Sequence, residues 1–169
     1  VNVVAEALTS EAFAPYGTYF PMTGTPQVPD AVGIVRSAGI GWEDSRTEHP
    51  LIDLPGSLGV TRGGAAPYAA THMERHMNTQ EALFCMREPI ILAVAAPAPL
   101  DNPQAGDIRA FVIQPGDVVV LERGVWHDAC RGVGREALYY WFAACNDGGP
   151  VIWMEIEGGP VRIDIPGDR

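Results

Sequence analysis

Glycine and proline cut this chain into short pieces. Together they make up 34 of its 169 residues, 19 Gly and 15 Pro. Between them the apolar residues fall in brief runs, too short for amphipathic helices of ordinary length but suited to strands joined by turns. Val118–Leu121 is one such run, closed by Gly116 before it and Gly124 after it. Pro115-Gly116 sets the leading turn, because proline fixes φ and glycine tolerates a positive one. Residues 107–113 alternate, with Arg109, Phe111 and Ile113 on one face and Ile108, Ala110 and Val112 on the other. Leu138–Phe142 is strongly β-forming. This punctuation predicts an all-β barrel or jelly roll rather than an α/β fold.

Strands are expected over residues 1–7, Tyr16–Met22, Leu58–Arg62, Pro67–His76, Glu81–Met86, Ile90–Ala95, Asp107–Ile113, Val118–Leu121, Ala137–Cys145, Val151–Ile156 and Val161–Ile165. Ile34–Trp42 is weaker strand material, kinked at Gly39 and Gly41. A short helix is expected over Thr9–Phe13, with a hydroxyl cap and a stop at Pro15. Pro26–Asp30 and Gly132–Gly134 read as turns and Ala96–Gly106 as a surface loop. Glu43–Gly56, charged and interrupted by proline, reads as an exposed excursion or a loop over the barrel mouth. No repeat or linker divides the chain, so residues 1–169 are expected to form one domain.

The formal net charge is −10, and all 11 basic residues are arginine. A basic footprint for nucleic acid or an anionic membrane is therefore missing. Without lysine, Schiff-base chemistry on a lysine is excluded. Cys85, Cys130 and Cys145 show neither paired spacing nor a disulfide framework, and no leader-like or membrane-spanning run is visible, which together point to a reduced, cytoplasmic setting.

Two stretches carry chemistry. The first delivers His127 just past the Gly124 turn. The second is Thr71–Glu81. If it is extended, His72, Glu74 and His76 share one face, while Met73, Arg75 and Met77 take the other; Glu81 follows. Imidazole and carboxylate together suit zinc, iron, manganese or nickel better than calcium. Convergence of Glu74, His76, Glu81 and His127 would make either a metal site or a metal-free acid–base site. His72 shares the face, and His49 lies in a polar loop expected to be solvated. Trp126 and Tyr139–Phe142 read as core or as dimer interface.

The later stretch, Gly116-x5-Glu122-x-Gly124-x2-His127 with Arg131 after it, resembles the cupin motif G-x5-P-x-G-x2-H-x3-N. The earlier stretch, Glu74-x-His76-x4-Glu81, resembles the cupin H-x-H…E motif, with Glu74 in place of the first histidine. Glu74-Arg75-His76, Val125-Trp126-His127 and the N-terminal Leu8-Thr-x-Glu11-Ala-Phe13-Ala-x-Tyr16-Gly17 are similar to the ureidoglycolate lyase family within the cupins. The resemblance implies a double-stranded β-helix, a homodimer, and release of urea and glyoxylate from (S)-ureidoglycolate in allantoin and purine catabolism. Glu74, His76, Glu81 and His127 would then serve as catalytic groups, as ligands to one divalent Zn, Mn, Fe or Ni ion, or as both. The substrate is a carbinolamide bearing a carboxylate, so an arginine clamp is expected, with Arg109 as the candidate and His72 as a further substrate contact. Two other readings remain at this point: another metal-dependent cupin enzyme, a dioxygenase or isomerase of a small oxygenated acid, and a non-catalytic cupin that binds a small anion.

Overall fold

The computed structural model describes residues 1–23, 33–98, 102–145 and 153–167, and the architecture is all-β. One sheet runs in the order Gly17–Pro21, Asp117–Leu121, Glu81–Cys85, Ala137–Ala143, Ser57–Gly63, antiparallel throughout. A second runs Trp153–Glu155, His72–Glu74, Trp126–His127, Ile90–Ala95, Arg109–Ile113, Glu6–Ala7, its last pair parallel. A third, smaller sheet orders Asn2–Val4, Val161–Asp164, Tyr68–Ala70. The first two sheets face each other in a cupin-like sandwich, and the third covers the outer side of the second.

The strand Ile90–Ala95 is buried at every position. Alternation sends Ile90, Leu92 and Val94 into the core between the two large sheets, with Leu83, Phe111, Val119 and Leu121. It sends Ile91, Ala93 and Ala95 the other way, against Met73, Trp126, Val161 and Ile163. A strand packed on both faces has no polar side, which is why it reads as an unbroken apolar run. Burying each Leu, Ile or Val contributes about 1.5–3 kcal/mol. The helix Ser10–Phe13 forms as expected. Thr9 Oγ1 accepts from the Ala12 amide at 3.1 Å, and buried Phe13 meets the Phe111 ring edge-on at 5.5 Å.

Several expectations are corrected. Pro67–His76 is not one strand: Tyr68–Ala70 joins the third sheet and His72–Glu74 the second, with exposed Thr71 at the switch. Residues 1–7 likewise split between two sheets. Gly132 lies within the strand Arg131–Val133, which pairs with Ile90–Ile91 and Ala65–Ala66. Its glycine is needed for close backbone approach, since a Cβ there would lie 2.1 Å from the Arg135 carbonyl oxygen; the turn itself is at Gly134, where φ is +70°. Within Glu43–Gly56, residues up to Thr47 belong to a hairpin in which Ile34–Gly39 pairs with Trp42–Thr47. The remainder packs on the outer face of the five-stranded sheet, where Ile52 is buried against Ala82 and Val120. The Asp53 amide also donates to Gln80 Oε1 at 3.1 Å, so the segment reaches the end of the sheet where Glu81 begins. The described part of Ala96–Gly106 includes buried Ala105 in a 3-10 turn. Pro26–Asp30 lies outside the described residues. None of the described helices is long and apolar enough to cross a membrane.

Candidate active site

Strand alternation aims the central histidine. Trp126 packs into the core shared with the third sheet, so His127, its neighbour, turns to the opposite face. His127 pairs with Val94 on one side and with Glu74 on the other, and it is 4% exposed. Gly124, at φ +80°, makes the turn before it. The Gly124 amide donates to the His76 carbonyl at 2.8 Å, tying the two histidine-bearing segments together. Glu81 opens the facing sheet's central strand and is also buried.

The four side chains meet. His127 Nε2 lies 3.0 Å from Glu81 Oε2 and 3.7 Å from Glu74 Oε1. His76 Nε2 lies 3.3 Å from the same Glu81 oxygen, and the two imidazole rings are 5.1 Å apart. His127 Nδ1 is 3.1 Å from the Val125 carbonyl oxygen. A carbonyl only accepts, so Nδ1 carries the proton and Nε2 is left facing the carboxylates.

Despite the 3.0 Å separation, neither His127 Nε2 nor Glu81 Oε2 takes part in an aligned hydrogen bond, although both are buried. The contact is one of charge and proximity rather than an aligned hydrogen bond. That is the arrangement of donors meant for a third body. Glu74, His76 and His127 each offer a ligand atom within 4.8 Å of the others. Two donors about 2.1 Å from one cation and about 90–110° apart are themselves separated by about 3.0–3.4 Å. The donor types, the spacing and the orphaned buried atoms all fit a divalent cation.

Electrostatics divides the two carboxyls. Burial pushes Glu81 up, but the His127 and His76 imidazoles outweigh it and bring the carboxyl down to about 2. Glu74 is raised instead: burial dominates, Glu81 and Asp128 add to it, and the two imidazoles only partly oppose it. Burial works against a charged His127, yet its contacts with Glu81 and Glu74 hold its pKa above the usual imidazole range. Paired groups driven in opposite directions are the usual mark of distinct acid and base roles.

Two expected contacts are not in this cluster. His72 is exposed and touches Thr71 Oγ1 at 3.0 Å. Arg109 is bound bidentately by Glu6, at 2.8 and 2.7 Å, and also reaches the Ala12 carbonyl; its guanidinium is occupied at the edge of the sheet. His49 is exposed, as expected. Glu122, in the proline position of the cupin pattern, accepts from Gln80 Nε2 at 2.9 Å and so steadies the residue next to Glu81. Sequence reading missed Asp128, buried at 6% behind His127 with its carboxyl raised by that burial. Its only sequence signal was adjacency to His127. The Val125 carbonyl was missed too, because a backbone group has no residue signature.

Comparison with known proteins identifies the family. The family model described as Ureidoglycolate lyase matches residues 1–151. A ureidoglycolate lyase from Burkholderia mallei (strain NCTC 10229) is 33% identical over 134 residues, covering 77% of this chain and 75% of that one. Proteins of the same name from Chelativorans sp. (strain BNC1) and Schizosaccharomyces pombe (strain 972 / ATCC 24843) are 27% and 25% identical, each over about four-fifths of both chains.

Proposed function

Because the chain belongs to the ureidoglycolate lyase family, we propose that it is a carbon–nitrogen lyase that eliminates urea from (S)-ureidoglycolate to leave glyoxylate, in allantoin and purine catabolism. The observation that carries this reading is the convergence of two imidazoles and two carboxyls in one spot, linked by three imidazole–carboxylate contacts of 3.0–3.7 Å. The family match and the relatives' names favour it over another metal-dependent cupin enzyme or a non-catalytic anion binder.

The reacting carbon bears a hydroxyl, a ureido nitrogen and a carboxylate. A base removes the hydroxyl proton, the C–O bond becomes C=O as the C–N bond breaks, and the departing nitrogen takes up a proton. Glu74, whose raised carboxyl lies nearer the opening, is the base. His76, the more exposed imidazole, gives the proton to the nitrogen. Glu81 stays ionised between the two rings and fixes their orientation. With Arg109 held by Glu6, the imidazoles supply the positive charge that the substrate carboxylate needs. Acid and base steps of this kind are each worth about 10²–10⁴-fold in rate.

In a metal-loaded enzyme the same imidazoles would be neutral ligands rather than acids: Glu74, His76 and His127, with Glu81 beside them, would hold a divalent zinc, manganese, iron or nickel ion, which would then supply the positive charge in their place. Such an ion, when bound, supplies Lewis acidity toward the hydroxyl and carboxylate oxygens. The enzyme is taken to work in the cytoplasm, as a homodimer. The test is a coupled assay of urea and glyoxylate release. His127→Ala, folded by circular dichroism, is expected to lose at least about 10²-fold in kcat/KM; near-normal turnover removes His127 from the scheme.

A further inference from the structure

The hairpin Ile34–Gly39/Trp42–Thr47 pairs only with itself among the described residues. Its base is anchored by Arg36, which donates to the Pro21 and Met22 carbonyls. Its tip is apolar and free: Ile40 is 104% exposed and Trp42 55%. The Trp42 indole folds across Gly39, where a Cβ would lie 2.5 Å from Nε1. An arm that leaves the body and presents a tryptophan and an isoleucine to water is unfavourable unless something covers them.

The same chain carries a surface that fits. Ile52 and its neighbours cover one end of the five-stranded sheet's outer face. The other end is open and presents Leu58, Val60, Leu138, Phe84 and Tyr140, joined by Met86. Leu58 is 65% exposed, Val60 56% and Leu138 45%. Phe84 and Tyr140 stack at 5.4 Å and form a flat aromatic floor. The edge strand Ser57–Gly63 borders this patch and is paired on one side only among the described residues. Within this open half the outward charges are Arg62 and Glu136, which pair at 3.9 Å and cancel. In a chain of net charge −10, a neutral apolar face lets a second copy approach with little repulsion. The arm tip, Gly39–Trp42, is uncharged as well.

We infer that two copies of this chain pair through these two features, the arm tip of each resting on the open Phe84–Tyr140 face of the other. A two-fold arrangement makes the contact twice and leaves no free arm or face. This rests on the homodimer stated above and names its surface; it is independent of the lyase chemistry.

Sedimentation equilibrium of the full chain tests it, with Ile40→Ser/Trp42→Ser as the arm variant and Leu58→Glu as the face variant. Wild type is expected to be dimeric, and each variant to raise the dimer Kd at least 100-fold. The two losses should be strongly non-additive when combined, because both remove one contact. The arm lies outside both cores, so its variant keeps the wild-type circular dichroism spectrum; if Leu58→Glu fails to fold, Leu138→Glu replaces it. A monomeric wild type overturns the dimer and the surface together, and binding of that monomer to lipid vesicles or another protein would identify the true occupant. A dimer that survives either variant, or additive losses, overturns the surface alone. Urea release is read in parallel and reports on the lyase reading separately.

Discussion

Replacing Glu81 by glutamine should flatten the acid side of the stability profile. The carboxyl lies at about 2 in the folded protein against an ordinary 4.5. At about 1.4 kcal/mol per pH unit, that difference amounts to about 3 kcal/mol. The side chain is only 11% exposed, so solvent screening removes little of it. The folded-state value is depressed, so the contribution is present above pH 4.5 and is lost as the pH falls toward 2. On the alkaline side the sign reverses: His127 has a raised pKa, and its share is lost as the pH climbs past the folded-state value. The wild-type advantage over Glu81→Gln is thus expected to be largest from about pH 5 to 6.5 and to shrink by about 3 kcal/mol on approach to pH 2. Any cost of burying an amide instead of a carboxylate is independent of pH and cancels from that slope. Urea denaturation of both proteins at a series of pH values, with chelator present so that the imidazoles are the only partners, measures it. A difference that stays constant from pH 6 to pH 3 would refute the charge coupling.

Other outcomes follow from the same geometry. Arg109→Ala should leave KM within about twofold while lowering stability by about 1 kcal/mol, the scale of a half-exposed bidentate pair; a KM raised tenfold would return Arg109 to the substrate. Zinc, nickel, manganese or ferrous ion at 100 times its Kd should stabilise the protein by about 2.7 kcal/mol in thermal melts, and Glu74→Gln/His127→Ala should abolish that gain. An unchanged wild-type melt with every ion speaks for metal-free acid–base chemistry. Gly63→Ala places a Cβ 2.0 Å from the Cys130 carbonyl oxygen, and it should lower the melting temperature by several degrees, as forced backbone movement in a packed sheet does. A wild-type melt would show that the strand has room to shift.

The sheet-rich fold was legible because the alternating runs and their Gly and Pro boundaries are local properties. His76 and His127 were legible because each sits beside its own turn or strand signal, so two short motifs sufficed to bring them together. Arg109 was misread for a non-local reason: its partner, Glu6, comes from a short parallel strand 103 positions away, and nothing near Arg109 announces it. The switch of sheets at Thr71 was invisible because both halves of Pro67–His76 are sound strand sequence, and only tertiary pairing separates them. Gly132 misled in the opposite way. It looks like a turn glycine, but it is a glycine because a neighbouring carbonyl occupies the space of a side chain.

The three-stranded sheet pairs Asn2–Val4 directly with Val161–Asp164, and this sheet backs the layer from which Glu74 and His127 project. The layer behind the catalytic groups is therefore closed only when both ends of the described chain have docked together. A chain lacking Val161–Asp164 loses the Val161 and Ile163 side chains that pack in one core with Met73 and Trp126, so damage at either end of the chain is felt at the wall behind the pocket.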